Sequence, residues 1–239
     1  IGVCREEIGE FVGNTYTTNA QVTPAIAMDS QGNYVIAWVS RYQSVSTYSV
    51  FAQRYNSTGE QLIPAGCGTT IPQCDPTTGE FRVNTYVHTS STQLFPAVAM
   101  DSDGDFVIAW QGTNNNETVS PLTSYNVFAQ RYNSSGEPQG AQFKVNTVNT
   151  WSQNKPAIAM DSDGDFVITW QTNDLDGSSY YDIKAQRYNA GGTPLSAEFK
   201  VNTYSTNSQQ GPSIAMSKGG DFVIVWASNS QPGEADPDG

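Results

Sequence analysis

Basic residues are scarce in this sequence: 11 Lys and Arg stand against 23 Asp and Glu in 239 residues, a formal charge of −12. Nucleic acid and anionic membrane are both recognised largely through Lys and Arg, so neither is an expected partner. Long apolar runs are missing as well. None approaches the roughly 18 to 20 residues of a helical membrane span, which argues against insertion by that route. Histidine occurs once, at His88 in a Thr/Ser-rich stretch, and there is no Gly-x-Ser-x-Gly, no His/Cys metal spacing and no phosphate-binding loop. Catalysis therefore has little support from motifs, although a carboxylate pair brought together in space would leave none. The expectation at this level is a protein that is not an enzyme.

Cysteine is rare too, with three in total, an odd number. Cys67 and Cys74 lie seven apart in a Gly/Pro/Thr-rich insertion (PAGCGTTIPQCDPTTG), which predicts a small loop disulfide in an oxidising compartment. Cys4 is left over. Its surroundings, CREEIGEF, parallel CDPTTGEF at Cys74 to Phe81, so either its partner precedes Ile1 or it is a thiol that bonds to another molecule. The chain begins at Ile rather than Met, with neither a basic n-region nor an apolar h-region, as expected of mature or trimmed material. Only 14% of residues are charged, and Ser, Thr, Asn and Gln dominate the polar ones, a profile that suits an extracellular or cell-surface protein.

What the chain has in abundance is repetition. Pro24 to Trp38 (PAIAMDSQGNYVIAW) returns as Pro96 to Trp110, Pro156 to Trp170 and Pro212 to Trp226. These starts are 72, 60 and 56 residues apart, and all four methionines and four of the five tryptophans fall at matching points. A unit of that length cannot bury its own apolar face alone and stacks on copies of itself. One repeat domain over 1–239 is expected, with units at about 24–85, 96–147, 156–203, and 212–239 together with 1–15.

Each full unit carries four stretches with strand patterning. In the third unit these are Pro156 to Asp161, Phe166 to Trp170, Ile183 to Tyr188 and Glu198 to Thr203. Apolarity falls from the first pair to the second, as it should when inner strands are covered by neighbouring sheets and outer strands meet solvent. The expected fold is all-β, four-stranded antiparallel blades arranged radially. A β-solenoid or a pair of sandwiches is the alternative, less suited to Gly-rich hairpin turns. With its Pro-x-x-Ala-Met-Asp blade starts, Asp-x-Asp-Gly turns and VFAQRYN strands, the chain resembles the bacterial secreted β-propeller repeat proteins, over essentially its whole length. The resemblance implies an architecture more than an activity. The fourth unit stops where its third strand would begin, while Glu10 to Thr15 is a fourth-type strand with no unit of its own. Either the chain belongs to a longer array, or Ile1 to Arg5 and the strand after it complete the last blade, or a neighbouring chain donates the missing strand.

Candidate sites are few. Asp101, Asp103 and Asp105, and equally Asp161, Asp163 and Asp165, offer alternating carboxylates of the kind that bind calcium. A tight hairpin needs Asp and Gly at these places anyway, and neither loop has a Glu at the twelfth position. Asp174, Asp176 and Asp182 form a second acidic set. Asn56, Asn116 and Asn133 satisfy the glycosylation sequon and are expected to be exposed. The repeated tryptophans fit packing between blades, and the repeated Gln-Arg-Tyr (Gln53 to Tyr55, Gln130 to Tyr132, Gln186 to Tyr188) fits cross-strand pairing as well as it fits a ligand set. Trp151 falls outside the register and is the candidate ligand-facing aromatic. Together these features favour a non-enzymatic structural or adhesive protein that assembles with itself end to end through its termini. A glycan-binding propeller is the second reading.

Overall fold

The computed structural model describes residues 2–5, 9–71, 73–113, 124–148, 151–173, 180–204 and 206–229. All regular structure among them is β. An N-terminal hairpin of β1 (Gly2–Arg5) and β2 (Gly9–Val12) is followed by β3 (Gln21–Met28), β4 (Tyr34–Arg41) and β5 (Tyr48–Tyr55) of the first blade. The outer edge of that blade is split into β6 (Gln61–Leu62) and β7 (Phe81–Arg82), both paired to β5. The insertion between them is closed by a Cys67–Cys74 disulfide, as the spacing predicts. The second blade is β8 (Gln93–Met100), β9 (Phe106–Gly112), β10 (Asn126–Tyr132) and β11 (Phe143–Lys144). The third is β12 (Gln153–Met160), β13 (Phe166–Thr172), β14 (Asp182–Tyr188) and β15 (Phe199–Lys200). The fourth has β16 (Gln209–Met216) and β17 (Phe222–Ser228).

Each sheet is an antiparallel meander in sequence order, and the first strands β3, β8, β12 and β16 contact one another in turn. Met28, Met100, Met160 and Met216, at the ends of those strands, share one axial cavity of 270 Å³. The sheets are therefore arranged radially, and the fold is a β-propeller. Packing between blades matches large residues on one face to small ones on the next. Phe106, Ile108 and Trp110 lie against Val35, Ala37, Val50 and Ala52 of the first blade. Phe166, Ile168 and Trp170 repeat the arrangement against Val107, Ala109, Val127 and Ala129. Period-two alternation places these sets on opposite faces of one strand, so the second strands of the first three blades are buried nearly throughout.

Polar residues complete the inner pair. Each tryptophan donates from Nε1 to a glutamine of the neighbouring first strand: Trp38 to Gln21 (2.9 Å), Trp110 to Gln93 (2.8 Å), Trp170 to Gln153 (2.8 Å) and Trp226 to Gln209 (2.9 Å). An indole N–H buried without an acceptor would cost stability, which explains why the glutamine stands 17 residues before the tryptophan in every unit.

The N-terminal hairpin stands where the outer half of a preceding blade would stand. Phe11 meets Tyr55 at 5.7 Å, just as Phe81 meets Tyr132 (5.4 Å) and Phe143 meets Tyr188 (5.5 Å). Thr15 donates from N and Oγ1 to Glu80, as Thr85 does to Gln142. β1 and β2 nevertheless form a separate two-stranded sheet, and no described residue of β1 or β2 pairs with β17. Among the described residues, then, no ladder joins the last blade to the N-terminal strand. One face of β17 stays open, with Val223 and Val225 exposed. Cys4 lies in β1 opposite Glu10.

Candidate functional site

An antiparallel meander has two distinct ends. The start of its first strand, the end of its second and the start of its third lie together, and the hairpins after the first and third strands lie together at the opposite end. Here the opposite end carries the acidic turns, and their carboxylates are used locally. Asp101 Oδ1 accepts from the backbone N–H of Asp103 (2.9 Å) and Asp105 (3.0 Å), and Asp161 does the same with Asp163 and Asp165 (both 3.0 Å). Asp105 and Asp165 then accept from Ser134 N (2.7 Å) and Ala190 N (2.8 Å), tying the two hairpins of a blade together. Serines link the blades in series: Ser30 Oγ donates to Ser102 O, Ser102 to Ser162 O, and Ser162 to Lys218 O. Asp29, Asp101 and Asp161 line the axial cavity, and among the described residues no three His, Cys, Asp or Glu are grouped to hold a metal ion. One oxygen each of Asp101, Asp105, Asp161 and Asp165 is engaged by backbone amides.

Burial pushes the Asp101 carboxyl above the usual carboxylate range, outweighing the amides that pull it down. The folded state therefore favours the protonated form. Stability from this group is fully present below the unfolded pKa, about 3.9, and is lost as pH rises through the folded pKa. Asp101→Asn keeps the accepting oxygen and is expected to raise Tm at pH 7 while giving no gain at pH 3, which thermal melts at the two pH values would read.

The Gln-Arg-Tyr set is also structural. Tyr55, Tyr132 and Tyr188 stack on Tyr34, Phe106 and Phe166 at 4.8 to 5.0 Å, and burial pushes the Tyr55 hydroxyl up to about 12 and the other two upward in the same direction. Arg54 donates to Ser134 O, and Arg131 to Gly191 O (2.7 Å), so each arginine clamps the outer hairpin of the next blade. Asn56 and Asn133 serve their turns: each donates from Nδ2 to a glutamate, Glu60 (2.7 Å) and Glu137 (3.0 Å). Both are half-buried rather than exposed, and their amide nitrogens, where a glycan would attach, are engaged. Asn116, Asp174 and Asp176 lie outside the described residues. Asp182 is buried and ion-paired to Lys200 (2.9 Å), which removes it from the acidic set.

The loop end is different in kind. The exposed aromatic side chains among the described residues are Tyr42, Phe95, Trp151 and Tyr180, and all four lie there. Tyr42 follows β4, Trp151 precedes β12, Tyr180 precedes β14, and Phe95 is near the start of β8. Every first strand carries a β-bulge at this end, where the register shifts between Val22 and Ala25, Leu94 and Ala97, Asn154 and Ala157, and Gln210 and Ser213. Trp151 was legible in the sequence because it breaks the repeat. Tyr42, Phe95 and Tyr180 were not, since exposure and the bulge are properties of the folded chain.

No family model matches the sequence, and no curated protein matches it either. Solved structures do share the fold. An endo-arabinase from Bacteroides thetaiotaomicron VPI-5482 superposes with a TM-score of 0.51 at 13% identity, covering 94% of this chain and 77% of that chain. An α-L-arabinofuranosidase from Lactobacillus brevis gives 0.51 at 13% identity over 96% of this chain and 73% of the other. The α-L-arabinofuranosidase of Fusarium graminearum gives 0.54 at 10% identity over 85% and 58%. These neighbours are glycosidases. Identity this low shows the shared fold, and the chain spans part of each neighbour's length. The finding overturns the expectation of a non-enzymatic structural or adhesive protein. The reason is physical: repeated residues report how blades pack, whereas a propeller's chemistry is assembled in space from loops that differ between blades.

Proposed function

We propose that the protein is a carbohydrate-active propeller whose loop end takes a neutral polysaccharide, with arabinose-containing chains as the first class to test. The observation that carries this reading is the segregation of Tyr42, Phe95, Trp151 and Tyr180 to the end opposite the acidic turns. Aromatic rings present an apolar face that fits the C–H face of a sugar, and Ser, Thr, Asn and Gln around them supply neutral hydrogen-bonding groups. Shared fold with arabinan- and arabinoside-cleaving enzymes supports the choice of substrate class. Glycoside hydrolysis needs a pair of carboxyl groups. At the loop end the ion pair of Asp182 with Lys200 sets that residue aside, so Asp174 and Asp176 are the first to substitute by asparagine. An extracytoplasmic setting belongs to the same proposal and is supported by the disulfide.

The test is retention of the protein in native gels cast with linear arabinan or arabinoxylan, together with release of reducing ends from both. Retention of the wild type, weakened about tenfold in Trp151→Ala with Tm unchanged, is the expected result. Absence of both retention and release on every neutral polysaccharide would overturn the reading.

A further inference from the structure

The bulges of the first strands hold a second regularity. At each one the residue before the proline has its backbone in the left-handed region: Thr23 at φ 51°, Phe95 at 51°, Lys155 at 49° and Gly211 at 59°. Only glycine adopts that region without cost, and for a β-branched or bulky residue it is an outlier. Three of four equivalent positions therefore carry conformational strain that a glycine, present at the fourth, would avoid. The strain is held in place from outside. Proline follows at every position, and Lys155 N and Gly211 N donate to Gln111 Oε1 (2.9 Å) and Gln171 Oε1 (3.0 Å) of the preceding blade. Both glutamines are buried, so the anchors are rigid.

What the strain achieves is projection. In blades two to four the bulge residue is exposed while the proline after it is buried. A Cβ built on Gly211 meets no atom within 4 Å, so a side chain at this position enters open space instead of the interface between blades. Because neighbouring first strands touch, the four positions lie side by side near the axis at the loop end. They also break the repeat. The four residues that follow are PAIA, PAVA, PAIA and PSIA, but the bulge residue itself is Thr, Phe, Lys or Gly. Packing would select one residue each time; Phe, Lys and Gly at the three exposed positions are the pattern of a ligand being read from several sides.

We propose that Phe95 and Lys155 form the sugar-reading subsite of the propeller. Phe95 supplies the stacking platform for one sugar ring, and the Lys155 ammonium donates to its hydroxyls. Thr23 is half-buried with its Oγ1 enclosed, and it stands outside the subsite. This rests on the polysaccharide reading above and adds to it which residues meet the sugar.

Glycine substitution separates function from structure here, since it relieves the backbone and removes the contact together. Phe95→Gly and Lys155→Gly are expected to keep or raise Tm, by about 2 to 4 °C, while retention in linear arabinan gels falls about tenfold. Variants retained like the wild type would sink the subsite and leave the polysaccharide reading standing. Loss of retention accompanied by a comparable fall in Tm would make the bulges purely structural, which also sinks it. A wild type retained by no neutral polysaccharide would overturn the subsite and the broader reading together.

Discussion

Trp110→Ala is expected to lower the unfolding free energy by about 3 to 5 kcal/mol, the range for emptying a large buried aromatic site, and Tm by roughly 10 °C for a chain of this size. Its indole is fully buried between the first two blades and donates to Gln93, so the substitution opens a cavity and also removes a partner from a buried amide. The other tryptophans grade the effect. Trp226 makes the same bond to Gln209, but its blade is covered on one face only and the ring is half-buried. Trp226→Ala should therefore cost about half as much, roughly 1.5 to 2.5 kcal/mol. Trp151 is exposed, and Trp151→Ala should stay within about 0.5 kcal/mol of the wild type. Urea melts of the three variants would check the order. Equal losses at Trp110 and Trp226 would contradict packing between blades as the source of stability.

The second large effect concerns a charge pair in the third blade. Lys184 and Glu198 form a buried ion pair at 2.8 Å in the third blade, and Glu198 also accepts from Thr147 N (2.8 Å). At the same places the second blade has Phe128 and Gln142, with the phenyl ring against Trp110 and the amide accepting from Thr85 N (2.7 Å). Lys184→Phe alone leaves the Glu198 carboxylate buried without its cation and is expected to cost about 3 to 5 kcal/mol. Adding Glu198→Gln reproduces the neighbouring blade and should bring stability back to within about 1 kcal/mol of the wild type. A double variant as unstable as the single one would mean that the pair itself, and not the uncompensated charge, holds the blade.

The repeat made the inner half of each blade legible. Strict recurrence of an apolar strand, a turn and a second apolar strand ending in tryptophan allows only an antiparallel pair buried on both faces, and stacking is the way to bury such a face four times. The outer strands were harder to bound. Their ladders are only two residues long, as at Phe143–Lys144 and Phe199–Lys200, and the first blade's outer edge is interrupted by the disulfide insertion. In the acidic turns, spacing shows which carboxylates are near one another but not that Asp101 and Asp161 accept from the amides of their own turns. The sequons misled toward exposed asparagines for the same reason, since the Nδ2 bonds to Glu60 and Glu137 exist only in the closed turn.

By itself, then, the sequence determined the number of units, their strand pairs, the loop disulfide and the net negative charge. Those properties follow from local periodicity, residue spacing and summed charge, which do not depend on where distant segments meet. The tertiary structure alone decided that the N-terminal hairpin stands against the first blade, with no ladder to the last among the described residues. It also separated a turn end of locally used carboxylates from a loop end of exposed aromatics, and it placed Thr23, Phe95, Lys155 and Gly211 on strained bulges around one axis. Exposure, backbone strain and convergence are set by what neighbouring blades cover, and a residue's place in the chain does not carry that information.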